Sequence, residues 1–180
     1  ILAGTNFSTE GFKIPSDWVW YKYDKLNIKS ISKGYTRIKT FPSIGAFDVL
    51  YYQKLKRIKW IDFLDYFDYK KDDAIEILKN NYGYKPYPYK HYESIFTRFY
   101  QSYILPNKFG FDKRRLHFSN LIMTNQMSRD DAINDLKKIA YPSISDLDED
   151  KEYFLKKMNW EESDLNTYLS RPPQPHSNYK

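Results

Sequence analysis

Cysteine is absent from all 180 residues. Disulfides, thiolate metal sites and thiol nucleophiles are therefore excluded. Histidine is nearly absent too. His91, His117 and His176 are the only three, and none has ligand-pair spacing, which argues against a histidine metal centre. No apolar run approaches the roughly 20 residues of a membrane span, and no signal peptide opens the chain. The cytoplasm is the expected compartment.

What is present is aromatic and unevenly charged. There are eighteen Tyr, twelve Phe and four Trp within a hydrophobic share of 41%, enough for a core. Rings fill cores, and tyrosine also brings hydroxyls to polar pockets. The net charge is +6, but the distribution says more. Residues 85–115 carry seven bases against two acids, a local +5. Residues 128–164 carry six bases against eleven acids, a local −5. A basic block beside an acidic one points to a local anion site and argues against a long nucleic-acid track.

The length allows one domain, or one and a fraction. Ile1-Leu2-Ala3 reads as the end of a buried strand, and Gly4-Thr5-Asn6 as the turn after it. The next 40 or so residues offer such a strand few partners. The expectation is that the chain is the C-terminal part of a longer protein, whose other strands lie upstream. Trp18-Val19-Trp20-Tyr21 has strong strand propensity. Pro42 and Gly45 mark a boundary, and strands are expected only before it.

Beyond Gly45 the text reads as helices. Asp48 can cap one carrying Val49, Tyr52 and Leu55. Asp72 and Asp73 suit the first turn of another, with Gly83 just past its end. A helix is expected over 92–103, stopped by Pro106, and a further one over 113–124 capped by Asp112. Ser128-Arg129-Asp130-Asp131 resembles a capping box. The last two helices are expected over 146–158 and 161–170, and Pro172-Pro173-Gln174-Pro175 cannot continue them. The fold class is therefore mainly α. The expected division is 1–45 as the tail end of an α/β domain, 46–171 as a helical substrate or partner domain, and 172–180 as a flexible tail.

The densest chemistry lies in 90–119. His91, Glu93, Ser94, Thr97, Arg98 and Gln101 are its first polar positions, and their spacing gathers several on one broad helix face. Lys113, Arg114 and Arg115 would stand in a first helical turn, where each cation opposes the dipole by roughly 0.3–1 kcal/mol. Either an anion such as phosphate meets them, drawn also by free backbone amides, or the segment is a solvated turn with Asp112 as a plain cap. His91 and His117 can each act as general acid or base. The plain alternative for each is a half-buried, hydrogen-bonded imidazole.

The run Lys90-His91-Tyr92-Glu93-Ser94-Ile95-Phe96-Thr97-Arg98, continued through Asp112-Lys113-Arg114-Arg115-Leu116-His117, resembles the signature of the bacterial N-acetyl sugar amidotransferases. These are pyrophosphate-loop ATPases of lipopolysaccharide, O-antigen and related surface-sugar pathways. The resemblance extends to Trp18-x-Trp20-Tyr21, to Asp68-Tyr69-Lys70-Lys71-Asp72-Asp73-Ala74-Ile75 and to Gln126-Met127-Ser128-Arg129-Asp130-Asp131-Ala132. Pro88 replaces a glycine of the pattern, and Leu116 replaces a small residue. The family's phosphate loop, Ser-Gly-Gly-x-Asp-Ser, is not in this chain. Gly4-Thr5-Asn6-Phe7-Ser8-Thr9-Glu10 is similar to the Gly-Thr-x-x-x-Ser-Glu element of NAD synthetases, with Thr9 in the serine's place.

The resemblance implies a helical region that follows the last elements of an incomplete α/β domain of the adenine nucleotide alpha hydrolase type. It implies an ATP- and Mg2+-dependent ligase-type enzyme that turns a sugar acetamido group into an acetamidino group. The partners would be a nucleotide-sugar substrate and a glutaminase subunit supplying ammonia, with a cyclase-like subunit as a further candidate. Lys90, Arg98, Lys113, Arg114 and Arg115 would hold phosphate or sugar carboxylate. His91, Glu93 and His117 would orient the acetamido group or move protons. Gly4, Thr5 and Glu10 would lie by the nucleotide, with Glu10 helping to hold magnesium. This fragment alone is expected to be inactive with ATP. Two other readings stay open: an RNA-binding or transfer-RNA-modifying relative, and a helical module that docks a glutaminase.

Overall fold

The computed structural model describes residues 1–16, 18–19, 21–33, 40–87, 92 and 94–179. It is mainly helical, as the capping and spacing signals require. The chain divides into two compact units. One comprises 1–4, 14–63 and 174–180, and the other 5–13 and 64–173.

The first unit holds the strands. β1 (Leu2–Ala3) pairs in parallel with β2 (Ile61–Asp62), in the register Leu2 to Ile61 and Ala3 to Asp62. β2 lies beyond Pro42, so the expected confinement of strands to the region before that proline is corrected. The reason is that β1 needs a partner for its backbone groups, and 61–62 supplies it. Trp18 and Val19 lie in a turn and a bend, and Tyr21 lies in no regular element, so none of the three is in a strand. Their apolar, ring-rich propensity finds no neighbouring ladder there. Two helices follow, α2 (Lys25–Ser32), capped by Asp24 on the Asn27 N–H, and α3 (Ala46–Leu50), which runs on into a π turn at Tyr51–Leu55. Asp48 accepts the Gly45 N–H at 2.9 Å and the Lys25 ammonium at 2.9 Å. Those two donors hold its carboxyl below the ordinary value. The tail ends in a 3-10 turn, His176–Tyr179, whose imidazole lies 3.5 Å from Asp24. Much of this unit's apolar surface is open; Phe47 is 89% exposed.

The second unit contains the main core. It begins with α1 (Phe7–Glu10), where Asn6 accepts the Thr9 N–H at 3.0 Å. Next come a 3-10 turn (Phe63–Tyr66, of which 64–66 belong here) and α4 (Lys71–Tyr82), closed by Gly83 at φ 64°. That left-handed conformation is one glycine adopts without a side-chain penalty. The central helix is α5 (Ile95–Phe99), a π turn (Tyr100–Ile104) and α6 (Leu105–Phe109) in unbroken succession. Pro106 does not stop it, contrary to expectation. The preceding turn is wide, with the Leu105 N–H bonded to the Tyr100 carbonyl, and this loosens the crowding that a proline ring creates in a regular helix. Gly110 ends the helix at φ 73°.

α7 (Arg114–Met123), α8 (Arg129–Leu136), α9 (Ile144–Met158) and α10 (Glu162–Ser170) complete the unit. Ser128 and Ser143 cap α8 and α9 through the Asp131 and Asp146 amides. Phe99, Ile104, Phe154 and Leu165 form the buried core, with Trp160 and Tyr168 packed against it. The Phe99 and Phe154 rings lie 4.9 Å apart. Lys108 fastens α10 to α6: its ammonium donates to the Tyr168 carbonyl and, at 2.7 Å, to that of Arg171. The same ammonium sits 4.3 Å from the Tyr168 ring centre. No described helix is long and apolar enough to cross a membrane.

Candidate functional site

Three of the expected site residues, Lys90, His91 and Glu93, lie outside the described residues. The others can be placed, and two of the basic ones turn inward.

Arg98, in the last turn of α5, donates through Nε and Nη2 to the two carboxylate oxygens of Asp150 on α9. Its guanidinium also lies 5.0 Å from the Tyr92 ring centre. Asp150 is only 3% exposed and accepts a further bond from the Tyr141 hydroxyl at 3.0 Å. The Tyr92 hydroxyl donates to the Ala140 carbonyl at 2.8 Å. Burial, then the Asp150 charge, push the Tyr141 hydroxyl far above its ordinary range. This is a closed network joining α5, α9 and the 140–141 segment, and Arg98 serves it.

Arg114 opens α7. Its Nε and Nη2 donate to Asp112 at 2.8–3.1 Å. Its Nη1 donates to the Asp135 and Lys138 carbonyls at 3.1 and 3.0 Å, and Nη2 also reaches the Leu136 carbonyl at 3.4 Å. All five guanidinium protons thus have acceptors. The anion that three cations in a first turn seemed to demand is in part internal. Asp112 accepts the Arg114 amide at 2.9 Å as well as the guanidinium, and the rest of the fork closes the end of α8. Arg115 is exposed, and Lys113 is half-buried at the helix entrance. His117 is half-buried one turn further on, its ring centre 6.1 Å from that of Phe118.

The N-terminal element is partly buried. Asn6 and Ser8 are covered as α1 packs on α7, and the Phe12 amide donates to buried Asn120 at 2.8 Å. Thr5 is half-buried, and Gly4 and Glu10 are exposed. A Cβ at Gly4 would meet no atom within 4 Å, so local packing does not require a glycine there. Among the described residues no group of three His, Asp or Glu side chains could hold a metal ion. Glu10 can offer one oxygen to Mg2+, which commonly takes one or two carboxylates beside substrate phosphates. The described residues do not make a self-contained magnesium site.

A cleft of about 360 Å3 lies where α1, the 64–70 segment and the end of α7 converge. Phe7, Phe67 and Tyr69 give it aromatic walls; Ser8, Thr124 and Gln126 give hydroxyls and an amide; Asp65, Asp68 and Lys70 bring charge. Gln126 builds it. Its Oε1 accepts the Lys71 N–H at 3.0 Å, and its Nε2 donates to the Ser8 and Thr124 hydroxyls at 3.0 and 3.2 Å. Asp65 accepts the Phe7 amide at 2.7 Å. Burial raises the Tyr69 hydroxyl above its ordinary value. Lys70 lies 3.8 Å from Asp68. None of Arg98, Lys113, Arg114, Arg115 or His117 lines this cleft. Sequence reading passed over Ser8, Asp65 and Gln126 as site residues. The available signal was that 68–75 and 126–132 both carry the family-like text.

Residues 93–180 match the family model described as LPS biosynthesis protein WbpG-like, C-terminal domain. The match spans just under half of the chain and likens that segment to an LPS-biosynthesis family. It takes in α5 to α10, and with them Arg98, Tyr141 and Asp150, the Arg114 clamp and the Thr124 and Gln126 wall of the cleft. No curated protein and no solved structure matches the chain.

Proposed function

We propose that this chain is the substrate-side part of an ATP-dependent amidotransferase of lipopolysaccharide or related surface-glycan synthesis. The observation that carries the reading is the WbpG-like match over 93–180, which contains most of the amidotransferase-like signature of 90–119. The reaction replaces the oxygen of a sugar acetamido group with nitrogen from ammonia, giving an acetamidino group. An amide oxygen leaves poorly; ATP would supply the activation by transferring AMP to that oxygen with release of pyrophosphate, so that ammonia could replace it and AMP could leave. A glutaminase subunit is the proposed ammonia source, with a cyclase-like subunit as a further partner.

On this reading the chain's own residues position the sugar nucleotide. Exposed Arg115 and neighbouring Lys113 offer charge to phosphate at the entrance of α7, where a guanidinium fork can engage two oxygens. His117 stands one turn beyond as a group able to hold or move a proton. Gly4, Thr5 and Glu10 are the residues that the resemblance assigns to the nucleotide, with Mg2+ as cofactor. Arg98 and Arg114 act instead as positioning residues, because the Nε and Nη2 donors of Arg98 and the whole Arg114 fork are engaged within the protein.

Deleting the gene in its source organism and analysing the surface polysaccharide by mass spectrometry tests the reading. Acetamidino substituents should be lost, leaving acetamido groups or a truncated glycan. A polysaccharide unchanged in composition would overturn it.

A further inference from the structure

We infer that the cleft between α1, the 64–70 segment and the end of α7 binds an uncharged pyranose ring bearing hydroxyl and acetamido groups, and does not bind phosphate. The inference deepens the proposed function and rests on it only for the ring's identity as an N-acetyl sugar.

The charge balance decides against phosphate. Asp65 and Asp68 outnumber Lys70, and Lys70 stands 3.8 Å from Asp68. A phosphate dianion entering here would meet two carboxylates and a cation that already has an anionic neighbour. A sugar has the opposite needs. Its hydroxyls donate to carboxylates, and its C–H faces lie against aromatic rings. Phe67 and Tyr69 provide such rings beside the two carboxylates.

Two of the polar groups are held in place before any ligand arrives. Asp65 is fixed by the Phe7 amide at 2.7 Å through one oxygen. Ser8 is 7% exposed and lines the cleft; its oxygen receives the Gln126 amide at 3.0 Å, and its own proton remains for an acceptor such as an acetamido carbonyl. The volume, about 360 Å3, falls at the small end of ligand clefts and suits one substituted ring rather than an entire nucleotide sugar.

Titrating the 180-residue chain with free N-acetylglucosamine and N-acetylmannosamine, while following amide resonances by NMR, tests this. At least one sugar should shift residues 7–8, 64–70 and 124–126, and inorganic phosphate should neither shift them nor displace the sugar. Phe67→Ala, at a largely exposed ring, should weaken binding about ten-fold with an unchanged thermal melt. Asp65→Asn, which keeps an oxygen for the Phe7 amide, should weaken it as well. Shifts confined to other residues, no sugar binding, or displacement by phosphate would overturn the inference. Sugar binding here in a protein whose deletion leaves the glycan unchanged would sustain the inference and sink the amidotransferase reading. Wild-type KM for the sugar nucleotide in an active Phe67→Ala enzyme would do the reverse.

Discussion

Arg98 and Asp150 face each other as a bidentate pair, two donors on two oxygens, with Asp150 almost wholly out of water. A paired buried carboxylate contributes little net stability, but one stripped of its partner is strongly unfavourable. Arg98→Ala should therefore destabilise the protein by about 3–5 kcal/mol in a denaturant melt. Replacing both partners, as Arg98→Met with Asp150→Leu, should restore most of the loss. An Arg98→Ala protein as stable as wild type would show the pair to be unimportant.

The same network predicts the alkaline limb of stability. Burial and then Asp150 hold the Tyr141 hydroxyl well above its ordinary value of 10.0. The folded form therefore favours the protonated phenol. Its contribution is fully present below pH 10 and is lost as pH rises above it, because the unfolded chain's tyrosine ionises while the folded one does not. Stability should fall above pH 10 more steeply in wild type than in Tyr141→Phe, as read by melts across pH 9–12. Identical slopes would remove Tyr141 from the explanation.

Arg114 leads to a different expectation from the one its sequence suggests. Its five donors close the carbonyl end of α8 and bind Asp112, so Arg114→Ala should lower stability by about 2–4 kcal/mol. Arg114→Lys should recover little, since an ammonium lacks the planar fork. Loss of sugar-nucleotide affinity in Arg114→Ala without loss of stability would return this residue to the ligand.

Local signals were legible and distant ones were not. Gly83 ending α4 and the Ser128 start of α8 could be read off, because each cap lies within a few residues of what it caps. The carbonyl partners of Arg114 lie more than twenty residues away, at the end of another helix, and no local pattern announces them. Pro106 misled for a related reason: its accommodation depends on the π turn before it, which apolar spacing does not reveal. The cleft was hidden because it is assembled from three separate stretches, joined by Gln126.

Gln126 offers a direct check on that assembly. It bonds the Lys71 amide, Ser8 and Thr124. Gln126→Leu should leave the Lys71 amide unmatched, at a cost of about 1–3 kcal/mol. Hydrogen exchange should quicken at the start of α4. Unchanged protection at residues 71–74 would show that the glutamine only decorates the cleft.

Arg115 separates a ligand contact from a structural one. It is exposed in the first turn of α7, beside an Arg114 that is fully engaged and a Lys113 that is half-buried. Exposed substitutions of this kind usually change stability by no more than about 0.5 kcal/mol. Arg115→Ala should thus melt like wild type, and any loss of sugar-nucleotide affinity reports directly on binding. The expected loss is several-fold, larger for Arg115→Glu and smaller at high salt, because an exposed guanidinium acts on phosphate through a screened charge. Calorimetry with a UDP-N-acetyl sugar at two salt concentrations measures it. Equal affinities for the wild type, Arg115→Ala and Arg115→Glu proteins would make this end of α7 an ordinary solvated turn and leave the phosphates to be held elsewhere.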